Sequence, residues 1–272
     1  MKFLPCFLLV LILFVPPSRA AEVALEGSFV QGGLVIGQAP AGAAVEFDGR
    51  DLRISEAGRF IFAFGRDAPP QATLRITYAD GRSEERSLSI AKREYAIQRI
   101  DGLPESKVSP PEEVWARIKR ENAVIAELRK ADRPAPDFES GFAWPAIGPI
   151  SGVYGSQRVL NGKPKRPHYG VDVAAPEGTP VRAPADGVVV LAEADLYYTG
   201  GTVILDHGHG LSSAFLHMKD VTAKVGDRLR QGDVLGTLGG TGRATGPHLD
   251  WRMNWFNRRI DPQLLVGPMP GQ

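Results

Sequence analysis

His248 and Asp250 are the residues whose types and spacing are best suited to chemistry in this 272-residue chain. From position 248 to position 255, polar residues at even positions alternate with apolar residues at odd positions, as in a half-buried β-strand. Because successive side chains of a strand point to opposite faces, His248 and Asp250 are expected on the same face. An imidazole beside a carboxylate can bind a metal ion or transfer a proton.

His168 and Asp172 form a second candidate pair, within the sequence His-Tyr-Gly-Val-Asp. Both can bind zinc if the chain bends between them, and Gly170 permits such a bend. This pattern alone occurs by chance in many chains. His217, which follows the apolar run 213–216, is the third candidate, although a single histidine on a strand is more often a hydrogen-bonded structural residue.

His207 and His209 form a literal His-x-His pair that could also suggest a metal site. Glycines at positions 208 and 210 flank the second histidine, and apolar runs lie on both sides of the segment. This arrangement is typical of a hairpin turn between two strands. We therefore favour a turn over a metal site here.

Composition excludes several classes of protein. The only cysteine, Cys6, lies in the N-terminal apolar segment, so the mature chain is expected to contain no disulfide and no thiol nucleophile. The formal net charge is +1, and no block of lysines and arginines stands out. Proteins dedicated to binding nucleic acid or anionic membranes usually carry such a block, so neither partner is expected.

Residues 1–20 have the anatomy of a secretory signal peptide. Lys2 gives a positive start, residues 3–15 are nearly all apolar, and small residues precede an expected cleavage after Ala20. A transmembrane anchor is the alternative, but about thirteen apolar residues are too few to cross a hydrocarbon core of ~30 Å as a helix. We expect a periplasmic or extracellular protein without a membrane span in its mature form.

The remaining chain is predicted to be mainly β, with three parts. Residues 21–96 carry short apolar runs and turn signals at Asp48-Gly49 and Asp80-Gly81, which predicts a β-sandwich of about seven strands. Residues 97–137 form a helical linker, in which Ser109 and Glu112 fit a capping box. Its apolar stripe consists of Val114, Ile118, Ile125 and Leu128. Residues 138–272 carry frequent Gly and Pro, short β runs and all five histidines, and are predicted to form an antiparallel β domain.

The third part resembles the core of the lysostaphin/LytM-type zinc metallopeptidases, which are peptidoglycan endopeptidases. Several spaced motifs occur in the same order, over residues 148–261, roughly half of the mature chain. The segments that carry the resemblance are 168–172, 174–181, 183–189, 206–208, 215–218, 225–227 and 245–249. The N-terminal β domain and the helical linker lie outside it.

The resemblance implies a small antiparallel β fold with Zn²⁺ in a groove, acting on peptide bonds of peptidoglycan. It implies that His168 and Asp172 bind the metal and that His217 and His248 assist catalysis. The third ligand of the family is a histidine, and this chain has Asp250 at that position. An aspartate can bind zinc through oxygen, but two carboxylates would leave the metal a poorer Lewis acid and would let harder ions compete.

Two other functions compete with that of an active peptidase. The first is a catalytically inactive LytM-type domain that binds peptidoglycan or activates a separate cell-wall hydrolase; such a hydrolase or a divisome protein is a further candidate partner. The second is a lipoyl- or biotinyl-type carrier, because residues 225–227 and 232–236 are similar to segments of carrier half-barrels. Such a carrier presents a modified lysine at a hairpin tip, and Lys219 is the only candidate.

Overall fold

The structure, a computed structural model, describes residues 22–271, so the predicted signal peptide lies outside the described residues. Its N-terminal part contains seven strands in two antiparallel sheets, in the orders β1-β2-β5 and β4-β3-β6-β7. The strands are β1 (Ala24–Gly27), β2 (Leu34–Gln38), β3 (Ala44–Phe47), β4 (Arg50–Asp51), β5 (Arg59–Ala63), β6 (Gln71–Thr77) and β7 (Ser83–Ser89). The expected β-sandwich is present.

Aromatic side chains join the two sheets of this sandwich. Phe47 of β3 and Phe62 of β5 stack with ring centroids 4.4 Å apart, and both are fully buried. Each buried phenylalanine contributes about 1.5–3 kcal/mol through the removal of apolar surface from water. Phe47 also contacts Trp255 of the C-terminal domain, so one continuous apolar core extends across both parts.

The linker contains β8 (Ile97–Ile100), α1 (Glu105–Val108), a 3₁₀ turn (Glu112–Val114) and α2 (Trp115–Leu128). Helix α2 buries Ile118 and packs Ile125 and Leu128 against the C-terminal domain, as its apolar stripe predicts. The predicted capping box is wrong. Ser109 ends the single-turn helix α1 instead, and its hydroxyl accepts a hydrogen bond from Lys163.

The C-terminal part is built around a ten-stranded sheet with the main order β17-β14-β15-β16-β19-β12-β9. Its strands and their neighbours are β9 (Ile150–Gly152), β10 (Gln157–Leu160), β11 (Lys163–Pro164), β12 (Gly170–Ala174), β13 (Pro180–Arg182), β14 (Gly187–Leu196), β15 (Gly200–Gly208), β16 (Leu211–Val221), β17 (Arg228–Leu229), β18 (Val234–Leu238), β19 (His248–Trp255) and β20 (Arg258–Ile260). All pairings within this sheet are antiparallel, as predicted. Two 3₁₀ turns, Asp137–Ser140 and Pro262–Leu264, flank the domain.

One strand of the linker belongs to the C-terminal part by its hydrogen bonds. Strand β8 pairs in parallel with β10, which in turn pairs with β11. The predicted boundary at residue 97 therefore falls just before a strand that joins the domain, while the division into three parts stays a prediction.

Strand β19 separates the core of the C-terminal domain from the candidate site. Its odd-numbered side chains, Leu249, Trp251 and Met253, are fully buried in the apolar core. Its even-numbered side chains lie on the other face, between β16 and β12. The alternation predicted from the sequence thus places His248 and Asp250 together on the polar face.

Candidate metal centre

Asp172 and Asp250 lie directly opposite each other on neighbouring strands β12 and β19. His168 lies just before β12, and its Nε2 atom is 3.1 Å from Asp172 Oδ1 and 3.3 Å from Asp250 Oδ1. All three residues are buried, and one ligand atom from each lies within 4.8 Å of the other two. The structure therefore brings together the three residues that were predicted to bind a metal.

Two of these ligand atoms have no hydrogen-bond partner among residues 22–271. His168 Nε2 and Asp172 Oδ1 are buried, and neither forms a hydrogen bond with a described residue. Leaving a buried polar atom unpaired costs about 1–3 kcal/mol, so such an atom requires an explanation. A shared cation would satisfy both atoms at once, and an imidazole with two carboxylates is a donor set that zinc accepts. The residues thus fit a metal ion.

Two glycines leave room for the carboxylates. A Cβ atom at Gly170 would collide with Asp250 Oδ1, and one at Gly152 would collide with Asp172 Oδ2. Gly170 was predicted to let the chain bend, but it begins the regular strand β12 and has no positive φ. Its role is instead to provide the space that the cross-strand aspartate occupies.

Each carboxylate is also paired with an arginine. Arg252 Nη2 lies 2.6 Å from Asp250 Oδ2, and its Nε also bonds the same carboxylate. Arg158 Nη2 lies 2.6 Å from Asp172 Oδ2. Like charges directly opposite on a sheet repel each other, and the two guanidinium groups offset that repulsion.

These pairs keep both aspartates ionised. Burial alone would raise the pKa of Asp250, but Arg252 and His168 outweigh it and hold that pKa well below its usual range. Burial and Asp250 act to raise the pKa of Asp172, but His168 and Arg158 outweigh them and lower it. Burial would lower the pKa of His168, whereas the two carboxylates raise it. The site therefore presents anionic oxygen ligands over the whole neutral range of pH.

His217 and His248 lie beside this cluster, with ring centroids 4.8 Å apart. His217 Nδ1 donates to the carbonyl of Thr241 (2.8 Å), and His248 Nδ1 donates to the carbonyl of Gly246 (2.9 Å). Because a carbonyl only accepts, each neutral ring carries its proton on Nδ1 and leaves Nε2 as an acceptor. His248 Nε2 lies 3.9 Å from Asp172 Oδ1, so this acceptor is next to the candidate ligands.

The backbone and burial of His217 set it apart from an ordinary strand residue. Its φ is 66°, in the left-handed region, and its N–H donates to the carbonyl of Thr199. Such strain persists where the surrounding structure enforces it, and it is common at functional sites. Burial and the neighbouring His248 lower the pKa of His217 to about 4, so its ring is neutral at physiological pH.

His207 and His209 lie elsewhere: His209 is in the predicted turn that joins β15 to β16, and His207 lies near the end of β15. His207 uses both ring nitrogens, with Nδ1 2.6 Å from the carbonyl of Asp186 and Nε2 2.7 Å from the hydroxyl of Ser213. His209 Nε2 contacts the carbonyl of Pro134. Neither belongs to a metal-binding group among residues 22–271.

Arg252 and Arg158 were missed as site residues by the sequence reasoning. Arg252 follows Asp250 by two positions on the same strand, so the alternation that selected His248 and Asp250 could also have selected it. Arg158 comes from β10, and no local pattern connects it with Asp172. The carrier alternative fails, because Lys219 lies inside β16 and pairs with Glu177 rather than standing at a hairpin tip.

The C-terminal part of the chain is similar to known peptidases. Residues 166–262 match the family model of peptidase family M23. The DD-carboxypeptidase/endopeptidase Mpg of Neisseria meningitidis is 38% identical over 105 residues, which are 39% of this chain and 24% of that protein. The peptidoglycan DD-endopeptidase ShyA of Vibrio cholerae is 40% identical over 103 residues, which are 38% of this chain and 24% of that protein. The chain thus spans about a quarter of the length of these curated relatives.

A solved structure extends the likeness to the other parts of the chain. The crystal structure of a protein from Pseudomonas aeruginosa, described as an M23 peptidase, is 29% identical and superposes with a TM-score of 0.66. The match covers 88% of this chain and 94% of that one, so it includes the N-terminal sandwich. Within residues 22–271, every helix is too short or too polar to cross a membrane.

Proposed function

We propose that this chain is an exported zinc metalloendopeptidase that hydrolyses peptide cross-links of bacterial peptidoglycan, and the match of residues 166–262 to peptidase family M23 supports this proposal. The observation that carries the proposal is the buried convergence of His168, Asp172 and Asp250 beside two histidines with free acceptor nitrogens. The relatives named as peptidoglycan DD-endopeptidases support the substrate.

His168, Asp172 and Asp250 would hold the zinc ion. When bound, zinc supplies a Lewis acid that polarises a carbonyl oxygen and acidifies water. His248 Nε2 lies 3.9 Å from Asp172 Oδ1, and the ring of His217 lies beside that of His248. Burial keeps His217 neutral, so we assign its Nε2 to accepting a hydrogen bond. We assign His248 to accepting the proton of the attacking water. The ring that carries the extra proton can then donate a hydrogen bond to the developing oxyanion.

The arginines change the expected effect of having aspartate at position 250. Two carboxylate ligands would cancel the charge of a divalent metal, as argued from the sequence. Arg252 and Arg158 each bond one carboxylate and therefore offset the added negative charge. The pair of Asp250 and Arg252 is neutral as a unit, like the histidine that the family has at this position.

The same contact supports a second candidate function, an inactive domain that binds peptidoglycan or activates another hydrolase. Arg252 bonds both oxygens of Asp250 and thus competes with a metal for the same carboxylate. If the arginine keeps Asp250, only His168 and Asp172 remain as ligands. In that state a cell-wall hydrolase or a divisome protein would be the functional partner.

Release of muropeptides from purified sacculi separates the two functions. The protein spanning residues 21–272 is incubated with sacculi alone, with a chelator, and with the chelator followed by excess zinc. If the protein is a peptidase, the chelator should stop the release, added zinc should restore it, and His248→Ala should slow it by about 10²–10⁴-fold. No release under any condition, together with retained sedimentation of the protein with sacculi, would overturn the peptidase and leave the binder.

The same proposal places the protein in the periplasm or outside the cell. Its support is the signal-peptide pattern of residues 1–20 and the location of the proposed substrate. Fractionation of cells that produce the full chain tests it. The mature protein is expected in the periplasmic or secreted fraction, shortened by about 20 residues.

A further inference from the structure

A pocket of about 410 Å³ opens beside the metal centre. His168 and His217 form part of its wall, so the pocket is continuous with the candidate site. Helix α2 contributes Trp115, Ile118 and Asn122 on another side, and Trp115 is exposed. The pocket thus has an apolar wall from the linker helix as well as the histidines of the sheet.

The rest of the pocket is strongly basic. Its six cationic lining residues are Arg158, Lys165, Arg166, Arg243, Arg252 and Arg259. No aspartate or glutamate is among the described residues that line it. This local charge contrasts with the whole chain, whose formal net charge is only +1.

Only two of these cations are neutralised by the metal centre. Arg158 and Arg252 pair with the carboxylates of Asp172 and Asp250. Lys165 donates to the carbonyl of Val108, a neutral acceptor. The candidate ligands therefore do not neutralise the other four cations, Lys165, Arg166, Arg243 and Arg259.

Arg259 and Arg243 are the clearest cases of cations without an anionic partner among the described residues, although they lie over the rings of Tyr169 and Tyr198. Arg259 Nη1 donates to the side-chain oxygen of Asn254 (3.1 Å), and Arg243 Nη1 donates to the carbonyl of Lys107 (3.5 Å). Neither forms an ion pair with a residue in the described range 22–271. Burial and the nearby guanidinium groups of Arg129 and Arg252 lower the pKa of Arg259 well below its usual range. Cations held close together without anions make a site that an anion stabilises.

We infer that Arg259 and Arg243 form a subsite for a carboxylate of the peptide substrate, held next to the metal centre. Guanidinium groups bind carboxylates through short, charge-assisted hydrogen bonds, often two at a time. The apolar side chains of α2 would face the neighbouring uncharged part of the peptide. This inference rests on the proposed function, since it specifies what kind of peptide the site selects.

A carboxylate could come from either of two positions in a wall peptide. One is the free C-terminal carboxylate, and binding it would favour cleavage near a chain end. The other is the side-chain carboxylate of a diamino-dicarboxylic acid residue. Three synthetic tripeptides distinguish these sources: N-acetyl-Lys-D-Ala-D-Ala as the free acid, its C-terminal amide, and an amide in which diaminopimelate replaces lysine.

Binding is measured by calorimetry in the His248→Ala background, so that turnover does not consume the peptides. We expect the fully amidated lysine peptide to bind about tenfold or more weakly than at least one carboxylate-bearing peptide, as for a lost charge-assisted bond. Arg259→Gln and Arg243→Gln should remove this preference, and Arg259→Lys should restore part of it. Arg230→Gln, at an exposed arginine whose side chain forms no ion pair with a described residue, is the matched control and should leave all three affinities unchanged.

Equal affinity for all three peptides would overturn the inference, as would an equal loss of every affinity in Arg259→Gln and Arg243→Gln. Thermal unfolding confirms that each variant is folded, and Arg243→Gln serves alone if Arg259→Gln does not fold. The result is separable from that of the proposed function. Sacculus hydrolysis without carboxylate preference contradicts only the subsite, whereas carboxylate preference without hydrolysis contradicts only the peptidase.

Discussion

Two groups of histidines in the same β domain differ in how their ring nitrogens are used. Near the end of β15, His207 bonds a carbonyl and a hydroxyl with its two ring nitrogens. In the groove, neither ring nitrogen of His168 forms a hydrogen bond with a described residue, although two carboxylates lie within 3.3 Å. Both histidines are buried, so burial does not distinguish them.

The difference shows what a structural histidine and a ligand histidine each require. A buried histidine that stabilises the fold finds its partners within the protein, as His207 does. A buried histidine with unpaired nitrogens destabilises the fold unless something else binds it. The literal His-x-His motif is thus the structural one, and the less conspicuous His168 is the candidate ligand.

Replacing His168 should produce the largest change in bound zinc and in hydrolysis, and it tests the difference between the two groups of histidines most directly. His168→Ala removes one of three ligands, so we expect loss of bound zinc and loss of sacculus hydrolysis to background. His209→Ala, at the turn, should retain both. Zinc content and muropeptide release are measured on the two variants side by side. Equal zinc in both would show that His168 is no more a metal ligand than His209 is.

Replacing His248 should reduce turnover without removing the metal. Removing a group that transfers a proton typically costs about 10²–10⁴-fold in rate. His248→Ala is therefore expected to lose that much in the rate of muropeptide release while it binds zinc like the unaltered protein. Hydrolysis at an unchanged rate would show that His248 is not the proton acceptor.

Breaking the pair of Asp250 and Arg252 should destabilise the metal-free protein. Removing one partner of a buried ion pair typically costs about 3–5 kcal/mol, since the other charge is left unpaired. Arg252→Leu should lower the free energy of unfolding in urea by that amount in the presence of a chelator. The double variant Asp250→Leu/Arg252→Leu should recover most of the loss, and a double variant as unstable as the single one would refute the pairing argument.

His207, near the end of β15, should affect the pH dependence of the protein's stability. Burial lowers the pKa of His207 to about 4 from a usual value of 6.5. Between these values the unfolded chain binds a proton that the folded chain does not, so stability falls as pH falls from 6.5 to 4, by up to roughly 3 kcal/mol. In His207→Asn this contribution should be absent. Urea unfolding at several pH values measures it, and an identical pH dependence in the variant would contradict the assignment.

The sequence predicts the candidate metal ligands better than it predicts the residues around them, which set the charge and the space of the site. Alternation along β19 places His248 and Asp250 on one face, and the ordered motifs predict the resemblance that the match to peptidase family M23 confirms. The counter-ion Arg158 comes from another strand and leaves no local signal. The role of Gly170 could not be predicted either, because it depends on a side chain of the neighbouring strand. Ser109 fails as a helix cap because a separate helical turn precedes it.

The metal content of the purified protein, residues 21–272, tests the central claim most directly. It is measured by elemental mass spectrometry after dialysis against zinc and then buffer, with His168→Ala as the control. We expect about one zinc ion per chain, as three protein ligands in one site imply, and none in the control. No retained zinc in the unaltered protein, or equal zinc in the two, would contradict the assignment of His168, Asp172 and Asp250 as a metal centre.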